Sequence, residues 1–365
     1  MANTLEHRSS SDVRYCVNDP QEYSYYTSGS NAAYTGGAAR GLVEEMSMRR
    51  CFGAIALLLA GSVGGAFAQD ENVLRPVADL DARLGTMPFE IVSAEKARGV
   101  EQDIALKSEV RFADGVELRI KIRPASAGGA RFNNEPRYEV AAYRLQRAFL
   151  DEPDYVVPPT ALRALPRAQL KPFVPSIEAT FRGADEVVVV AQYWLKKVSG
   201  PKEIWDPARF ASDPTYAHHV ANLNVLTYLI KHGDSNAGNI LISTVADNPR
   251  VFAVDNGVAF RSEESDRGDA WHALRVPSVP ARTIERLRAI DTERLEALLG
   301  AVATWELRDG HLIALAEHAR VAGVAGVRRR DGMVQLGLTK GEITDVVKRL
   351  QRLLARVDQG EIGSF

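Results

Sequence analysis

Two neighbouring segments limit the fold, because each combines turn-forming polar residues with a short apolar run. HGDSNAGNILI occupies residues 232–242, and VFAVDNGVAF occupies residues 251–260. Asp, Asn and Gly favour tight turns, and short apolar runs bounded by turn residues are typical of buried strands. The pair predicts a tight turn, a strand, and a second strand that delivers Asp255 sixteen residues after Asn239.

The polar residues of these segments suit phosphoryl transfer. Asp234 can orient a hydroxyl group, while Asn239 and Asp255 can supply oxygen ligands. Mg²⁺ prefers a few hard oxygen ligands with phosphate supplying the rest, and phosphoryl transfer needs positioning and charge neutralisation. An Asp/Asn/Gly turn by itself is explained by local turn formation. The hypothesis therefore depends on all three residues together.

The chain before these segments is predicted to be rich in strands. EVRF, a turn at Ala113-Asp114-Gly115 and the alternating run VELRIKI predict a β-hairpin. YEVAAYRLQRAFL has apolar residues three or four apart, which predicts a helix that VVPPT stops, because proline lacks a backbone donor. The unbroken valines of DEVVVVAQYWL predict a strand that is buried on both faces.

The rest of the chain is predicted to be mainly helical. PTYAHHVANLNVLTYLIKHGD predicts a helix that leads into the 232–242 segment. Near the C-terminus, a capping box of Thr339 and Glu342 begins a long amphipathic helix. Only a small hairpin near RRRDGMVQLGL is expected to interrupt the helices after about residue 262.

These patterns predict an α+β chain with two lobes. Residues 69–195 would form a small β-rich N-lobe that ends in a hinge, and residues 196–365 would form a mainly helical C-lobe. A ligand is expected in the cleft between the lobes, where ligands usually bind.

The motifs resemble those of the protein-kinase-like superfamily. His232-Gly233-Asp234 followed by Asn239-Ile240-Leu241 is similar to aminoglycoside and choline phosphotransferases, and Asp255-Asn256-Gly257 stands where protein kinases carry Asp-Phe-Gly. EVAAYRLQ followed by VVPPT resembles the phosphatidylinositol 3-/4-kinase-like branch and the atypical kinases of the secretory pathway, over about residues 90–260. The resemblance implies a two-lobed protein-kinase-like fold that binds ATP with Mg²⁺ in the cleft.

The resemblance also implies roles for single residues. Asp234 would be the catalytic base, and Asn239 and Asp255 would be the metal ligands. The hinge that receives adenine, partly through backbone groups, would follow the valine run. Its nucleotide-binding residues would be Gln192, Trp194 and Leu195.

A lysine and a glutamate complete the implied site. Kinases of this kind need a strand lysine on the α/β-phosphates, paired with a glutamate on the next helix. Lys121 and Glu139, eighteen residues apart, fall where the family pattern would put them. Arg123 is a weaker rival for the lysine, and Glu135 is a weaker rival for the glutamate.

Three departures from the family pattern count against ordinary Ser/Thr or Tyr kinase regulation. The region before EVRF has Gly99 alone in place of a glycine-rich loop, so phosphate binding by several backbone N–H groups is not evident. Asn236 stands where many protein kinases have lysine, and no Ala-Pro-Glu follows Gly257.

The N-terminal region predicts export. Residues 1–45 show no helical or strand period and are expected to be disordered or not made. Residues 46–68 have the basic start, apolar core and A-x-A cleavage site of a signal peptide, with an uncleaved membrane anchor at 51–68 or a buried helix as alternatives. Cys16 and Cys51 precede the proposed cut, so the mature chain would have no cysteine. Sequencing the N-terminus of the exported protein would distinguish these alternatives.

The overall charge excludes some partners. Lys plus Arg number 45 and Asp plus Glu number 47, a net charge of −2 that favours neither nucleic acid nor an anionic membrane. The expected partners are a nucleotide and an unidentified hydroxyl acceptor, without stable membrane insertion if the signal is cleaved. The predicted function is an exported ATP- and Mg²⁺-dependent phosphotransferase. The alternatives are an inactive nucleotide-binding pseudokinase or scaffold and a small-molecule phosphotransferase.

Overall fold

The computed structural model describes residues 76–365, and all of them belong to one unit, Val63–Phe365. Within 76–365, the segments that are not described are 98–103, 132–133, 202, 236–237, 246–248, 261–268 and 316–324. The predicted disordered start, the signal peptide at 46–68, Cys16 and Cys51 lie outside the described residues. Those predictions and the proposed domain boundaries therefore stay predictions.

The N-terminal part is built on an antiparallel sheet. Its elements are α1 (Val77–Gly85), β1 (Phe89–Ala97), β2 (Ala105–Phe112), β3 (Glu117–Pro124), α2 (Pro136–Gln146), β4 (Thr160–Pro166), the short α3 (Arg167–Leu170) and β5 (Glu186–Tyr193). The five strands are hydrogen-bonded in the order β1-β2-β3-β5-β4, and every neighbouring pair is antiparallel. Helix α2 contacts β4 and β5, so the sheet and the helix together form the N-lobe.

The predicted hairpin forms the centre of this sheet. β2 and β3 pair in register around the Ala113–Gly115 turn, where Gly115 has a φ of 85° that favours glycine. On β3, Leu118, Ile120 and Ile122 are buried, and the residues between them face the other side of the sheet. β5 is buried along its whole length, as the valine run predicts for a strand with neighbours on both edges.

The C-terminal part is mainly helical. Its elements are β6 (Val198–Ser199), α4 (Pro207–Ser212), α5 (Pro214–Leu229), β7 (Ile240–Ser243), β8 (Val251–Ala253), α6 (Asp269–His272), β9 (Ser278–Val279), α7 (Ala281–Arg288), α8 (Thr292–Leu299), β10 (Ala303–Arg308), β11 (His311–Ala314), β12 (Val327–Arg330), β13 (Met333–Leu336), α9 (Lys340–Asp358) and β14 (Gly363–Ser364). Helix α5 is its central element and is buried on almost all sides, including Asn222, Asn224 and Thr227.

The expectation of a single small hairpin after residue 262 is wrong. β10 to β13 form a four-stranded antiparallel sheet in the order β11-β10-β13-β12. The missed hairpin turns at Asp309-Gly310, where both residues have positive φ angles of 52° and 85°. Asp-Gly between alternating segments is a strong hairpin signal, and WELRDGHLIA carries it in the sequence. The arginines of RRR lie on β12, before a second Asp-Gly turn at 331–332.

The C-terminal helix begins as its sequence predicts. Thr339 is the N-cap of α9, its hydroxyl accepts from the backbone N–H of Glu342, and the Glu342 carboxylate accepts from the backbone N–H of Thr339. Ile343, Val346 and Leu350 are buried on the predicted apolar face. The predicted α+β class with a β-rich N-lobe and a mainly helical C-lobe is confirmed. None of the helices among the described residues combines the length and apolar character needed to cross a membrane.

Candidate functional site

The structure brings Lys121 and Glu139 together at the start of α2. Lys121 lies on the face of β3 opposite the buried Ile120 and Ile122, because side chains alternate along a strand. Its Nζ is 3.2 Å from Oε1 of Glu139, whose side chain is only 1% exposed. The other oxygen, Oε2, accepts a hydrogen bond of 3.0 Å from the backbone N–H of Asn256. Glu139 therefore connects β3 to the segment that follows β8.

Asp255 enters the same cluster from the C-lobe. Its Oδ1 lies 3.2 Å from Lys121 Nζ, and its side chain is 37% exposed. The backbone of Asp255 has a φ of 57°. Asp tolerates this left-handed conformation better than most residues, and such conformations concentrate at functional sites. No described residue donates a hydrogen bond to Oδ2, so this oxygen can bind another group.

Arg123 is a second cation in the cluster. It lies two residues beyond Lys121 on the same face of β3, and its Nη1 is 2.5 Å from Asp255 Oδ1 and 3.5 Å from Glu139 Oε1. Its side chain is buried. Two cations from one strand therefore share two carboxylates from other parts of the chain. Alternation along the strand is the signal in the sequence that places Lys121 and Arg123 on one face.

The charges of the cluster stabilise one another. The Lys121 ammonium, assisted by Arg123, holds the pKa of Asp255 well below its usual range, although burial of the carboxyl acts in the opposite direction. Burial lowers the pKa of Lys121, but the charges of Asp255 and Glu139 outweigh it, so the pKa is raised. Asp255 is therefore an anion, and Lys121 a cation, at neutral pH.

Asp234 and Asn239 are held together on the predicted turn. Asn239 Nδ2 donates to the backbone oxygen of Asp234 at 2.9 Å and to its carboxylate Oδ2 at 3.2 Å. No described residue donates a hydrogen bond to Asn239 Oδ1. The amide group therefore orients the Asp234 carboxylate with its nitrogen and keeps its oxygen available for a ligand.

A short hairpin brings this turn to Asp255. β7 and β8 are antiparallel, Ile240 pairs with Ala253, and the backbone N–H of Val254 donates to Asn239 O at 2.8 Å. Asn239 and Asp255 therefore lie at the same end of the hairpin, as the two apolar runs in the sequence predict. Asn236, where many protein kinases have lysine, lies outside the described residues.

His232 is a buried neutral residue behind the turn. Burial lowers the pKa of its imidazole, and the charges of Asp234, Asp255 and Glu139 only partly oppose this effect. Its Nδ1 lies 3.4 Å from the backbone N–H of Asp234, which donates to it. These contacts give His232 a structural role behind the turn.

Gly233 allows the turn to approach the segment after β8. A Cβ atom at this position would lie 2.5 Å from the backbone oxygen of Val258, closer than any side chain tolerates. The backbone N–H of Phe260 donates to Ile230 O at 2.6 Å, which holds the same two segments together. The glycine of the His-Gly-Asp motif is thus required by close backbone packing.

We expect Gly233→Ala to destabilise the protein by about 1–3 kcal/mol, because one backbone segment must move away from the other. Gly85→Ala is the matched control, since an added Cβ there meets no atom within 4 Å and alanine suits a helix. Denaturant unfolding of both variants checks this prediction. Equal stability of the two variants would show that the approach at Val258 is not tight.

The predicted hinge begins inside the sheet. Gln192 lies within β5 directly across from Lys121, and its buried Nε2 donates to Thr160 Oγ1 at 2.9 Å. The backbone N–H of Trp194 donates to Arg119 O at 3.1 Å. No described residue accepts a hydrogen bond from the backbone N–H of Leu195. Contact between adenine and Gln192, Trp194 and Leu195 stays a prediction, and Leu195 has the available backbone donor.

The donor set suits Mg²⁺ and phosphate. Asp255 and Asn239 offer oxygen atoms, which Mg²⁺ prefers, and Lys121 and Arg123 offer cationic donors suited to phosphate. In the described part of the chain, no group of three or more His, Cys, Asp or Glu side chains could hold a metal ion. Neither atom of the buried Asn256 amide, which adjoins Asp255, has a hydrogen-bond partner among the described residues.

Glu135, the weaker rival of Glu139, is placed elsewhere. It precedes α2, and its Oε2 accepts from Arg137 Nε at 3.0 Å. Arg137 also forms a bidentate ion pair with Glu342 of α9, at 2.6 and 2.9 Å. No sequence pattern predicts this connection between the two helices, because nothing local relates residues that are 205 positions apart.

Comparisons with known proteins find similarity to solved structures, at a distant level. No family model and no curated protein matches the chain. Among solved structures, the chain is similar to the MAP kinase LmaMPK10 from Leishmania major, with 13% sequence identity and a TM-score of 0.29. The match covers 60% of this chain and 62% of the MAP kinase chain, so it spans less than two thirds of the length of the MAP kinase. The site assignment therefore rests on the contacts described above.

Proposed function

We propose that this protein is an ATP- and Mg²⁺-dependent phosphotransferase of an atypical kinase kind, which transfers the γ-phosphoryl group to a hydroxyl acceptor. The observation that carries the proposal is the convergence of Lys121, Glu139 and Asp255. Lys121 is 18 residues from Glu139 and 134 residues from Asp255 along the chain, yet its Nζ is 3.2 Å from each carboxylate.

Each residue has a role in this chemistry. Lys121, oriented by Glu139, binds the nucleotide phosphates, and Asp255 and Asn239 hold Mg²⁺. When bound, the ion neutralises the charge of the phosphate oxygens. Asp234, oriented by Asn239, accepts the hydrogen bond of the acceptor hydroxyl and takes its proton. The hydroxyl oxygen forms a new bond to the γ-phosphorus while the bond to the ADP oxygen breaks.

Nucleotide binding followed by phosphate transfer tests this function. We expect Mg²⁺ with ATP to raise the unfolding temperature, since a ligand at a hundred times its Kd adds about 2.7 kcal/mol of stability. Radiolabelled phosphate should then reach a hydroxyl acceptor from a panel of proteins, sugars and small alcohols, and EDTA should prevent transfer. A protein that shows neither a thermal shift nor transfer would contradict the proposal.

A second candidate function is an inactive nucleotide-binding scaffold. The observation that favours it is the β1–β2 connection, residues 98–104, which contains Gly99 as its single glycine. Kinases that transfer phosphate efficiently cover the phosphates with a glycine-rich loop. The same experiment separates the two functions, because a thermal shift without transfer to any acceptor favours the scaffold.

A further inference from the structure

Arg123 distinguishes this cluster from one built on a single strand lysine. Its guanidinium group contacts the same two oxygens as Lys121, Asp255 Oδ1 and Glu139 Oε1. The shorter of its contacts, 2.5 Å to Asp255, is also shorter than either contact of Lys121. Arg123 therefore contacts the same two carboxylate oxygens as the lysine that is assigned to the phosphates.

The charge of the cluster leaves a role for a second cation. Among the described residues, the contacts of this cluster pair the cations Lys121 and Arg123 with the carboxylates of Glu139 and Asp255. When Asp255 binds Mg²⁺, its charge is shared with the ion, and both side-chain cations become more available to another anion. A nucleotide triphosphate brings that anion into the site.

The chemistry of the guanidinium group suits this task. A planar group with five N–H donors can bind a phosphate through two parallel hydrogen bonds, whereas an ammonium group acts as a point charge. The sequence between β1 and β2 contains a single glycine, Gly99, and not the glycine-rich pattern of a phosphate-binding loop. Side-chain donors on β3 can replace the backbone donors of a glycine-rich loop.

We propose that Arg123 is a second phosphate-binding residue, which binds the nucleotide phosphates together with Lys121. This inference rests on the proposed function, because it requires a nucleotide in the same site. Arg123 contacts Asp255 in the described arrangement and donates to phosphate oxygens when a nucleotide binds. Its donors take the place of the backbone N–H groups that a glycine-rich loop supplies.

Nucleotide binding to Arg123 variants tests the proposal. The probes are adenosine and a non-hydrolysable ATP analogue with Mg²⁺, and calorimetry measures their affinities. Arg123→Gln should bind the analogue roughly tenfold to a hundredfold more weakly, because it loses charged hydrogen bonds. Its affinity for adenosine, which has no phosphate, should stay within about twofold of wild type.

Two further variants complete the experiment. Arg111→Gln is the matched control, since Arg111 lies on β2, is 47% exposed and pairs with Glu117 and Glu90. It should bind both probes as the wild type does. Arg123→Lys keeps the charge but loses the planar guanidinium group. Its affinity for the ATP analogue should therefore fall several-fold, while its affinity for adenosine should not change. This variant carries the test if Arg123→Gln fails to fold, as judged by its unfolding curve.

The outcomes separate this proposal from the proposed function. A wild-type protein that binds neither probe overturns both. A wild-type protein that binds the analogue, with Arg123→Gln or a folded Arg123→Lys binding it equally well, overturns the role of Arg123 alone. Equal losses for adenosine and the analogue also overturn it, because they indicate a general disturbance of the site.

Discussion

Asp255→Asn should reduce Mg²⁺-dependent phosphate transfer roughly 10³-fold or more, because it removes a charged ligand for the ion at the centre of the site. The substitution keeps the size of the side chain, and Asn also tolerates the left-handed backbone that Asp255 adopts. Its carboxylate is held ionised by Lys121 and Arg123, so protonation of Asp255 does not limit activity at neutral or mildly acidic pH.

Asp331→Asn is the matched control for this variant. Asp331 has a φ of 51°, close to that of Asp255, and lies at the exposed turn between β12 and β13. The same chemical change there should leave transfer unchanged. The measurement is the initial rate of transfer against Mg²⁺ concentration, with an unfolding curve for each variant. Transfer by Asp255→Asn within about tenfold of wild type would remove Asp255 from the metal site.

Glu342→Gln should destabilise the protein by about 3 kcal/mol, because it leaves a buried guanidinium group without its main carboxylate. Glu342 and Arg137 side chains are 15% and 8% exposed, and Tyr138 also donates to the Glu342 carboxylate. Removing one partner of a buried ion pair costs about 3–5 kcal/mol. The lower value is expected here, since Glu135 still contacts Arg137. Gln can replace Glu in the capping box, so the start of α9 should persist.

The pH dependence of this effect has a defined sign. Burial alone would raise the pKa of Glu342, but the hydrogen bonds and charge of Arg137 outweigh it and hold the pKa below its usual range. The ionised carboxylate therefore stabilises the folded state fully above the ordinary pKa of Glu, about 4.3. This stabilisation is lost as the pH falls through the lowered pKa of the folded state. The difference between wild type and Glu342→Gln should be constant at neutral pH and shrink below about pH 4.

Asp345→Asn is the control on the same helix. Asp345 pairs with Lys348 at the surface, and such exposed pairs contribute about 0–1 kcal/mol. Denaturant unfolding at pH 7 and at lower pH measures all three proteins. A Glu342→Gln protein as stable as Asp345→Asn at pH 7 would show that the ion pair between α2 and α9 does not stabilise the fold.

This ion pair also bears on the site. Arg137 and Glu139 are two residues apart on α2, which places them about 200° apart around the helix axis. One side of α2 therefore contacts α9 through Arg137, and the other side presents Glu139 to Lys121. We expect Glu342→Gln to weaken Mg²⁺-ATP binding as well, since α2 loses one of the contacts that hold it in place. The calorimetric affinity of the ATP analogue measures this effect.

The candidate site was largely predictable from the sequence because its residues lie on locally defined elements. A tight turn before an apolar run placed Asp234 and Asn239, and the following run placed Asp255 at the end of the same hairpin. The strand pattern around VELRIKI placed Lys121 on the face of β3 opposite Ile120 and Ile122. Residue type and spacing contain this information, because turns and strand alternation are properties of short segments.

Other features were not predictable in this way. Gln192 is predicted to belong to the hinge. It lies on β5, which pairs with β3 on one side and with β4 on the other, so Gln192 is inside the sheet. The β10–β11 hairpin stands where helices are predicted, although Asp309-Gly310 signals a turn there. The lengths of the contacts that Lys121 and Arg123 make with Asp255 depend on the tertiary structure, and no sequence pattern predicts them.

The sequence by itself determined most of the elements, the order of the two lobes and the identities of the groups that the site can use. Only the tertiary structure decided that Arg123 joins Lys121 at Asp255, and that α9 holds α2 through Arg137 and Glu342. The physical reason is the range of the interactions. Turns, caps and strand alternation act over a few residues, whereas a buried ion pair forms between whichever charges the packing of the whole chain brings within about 4 Å.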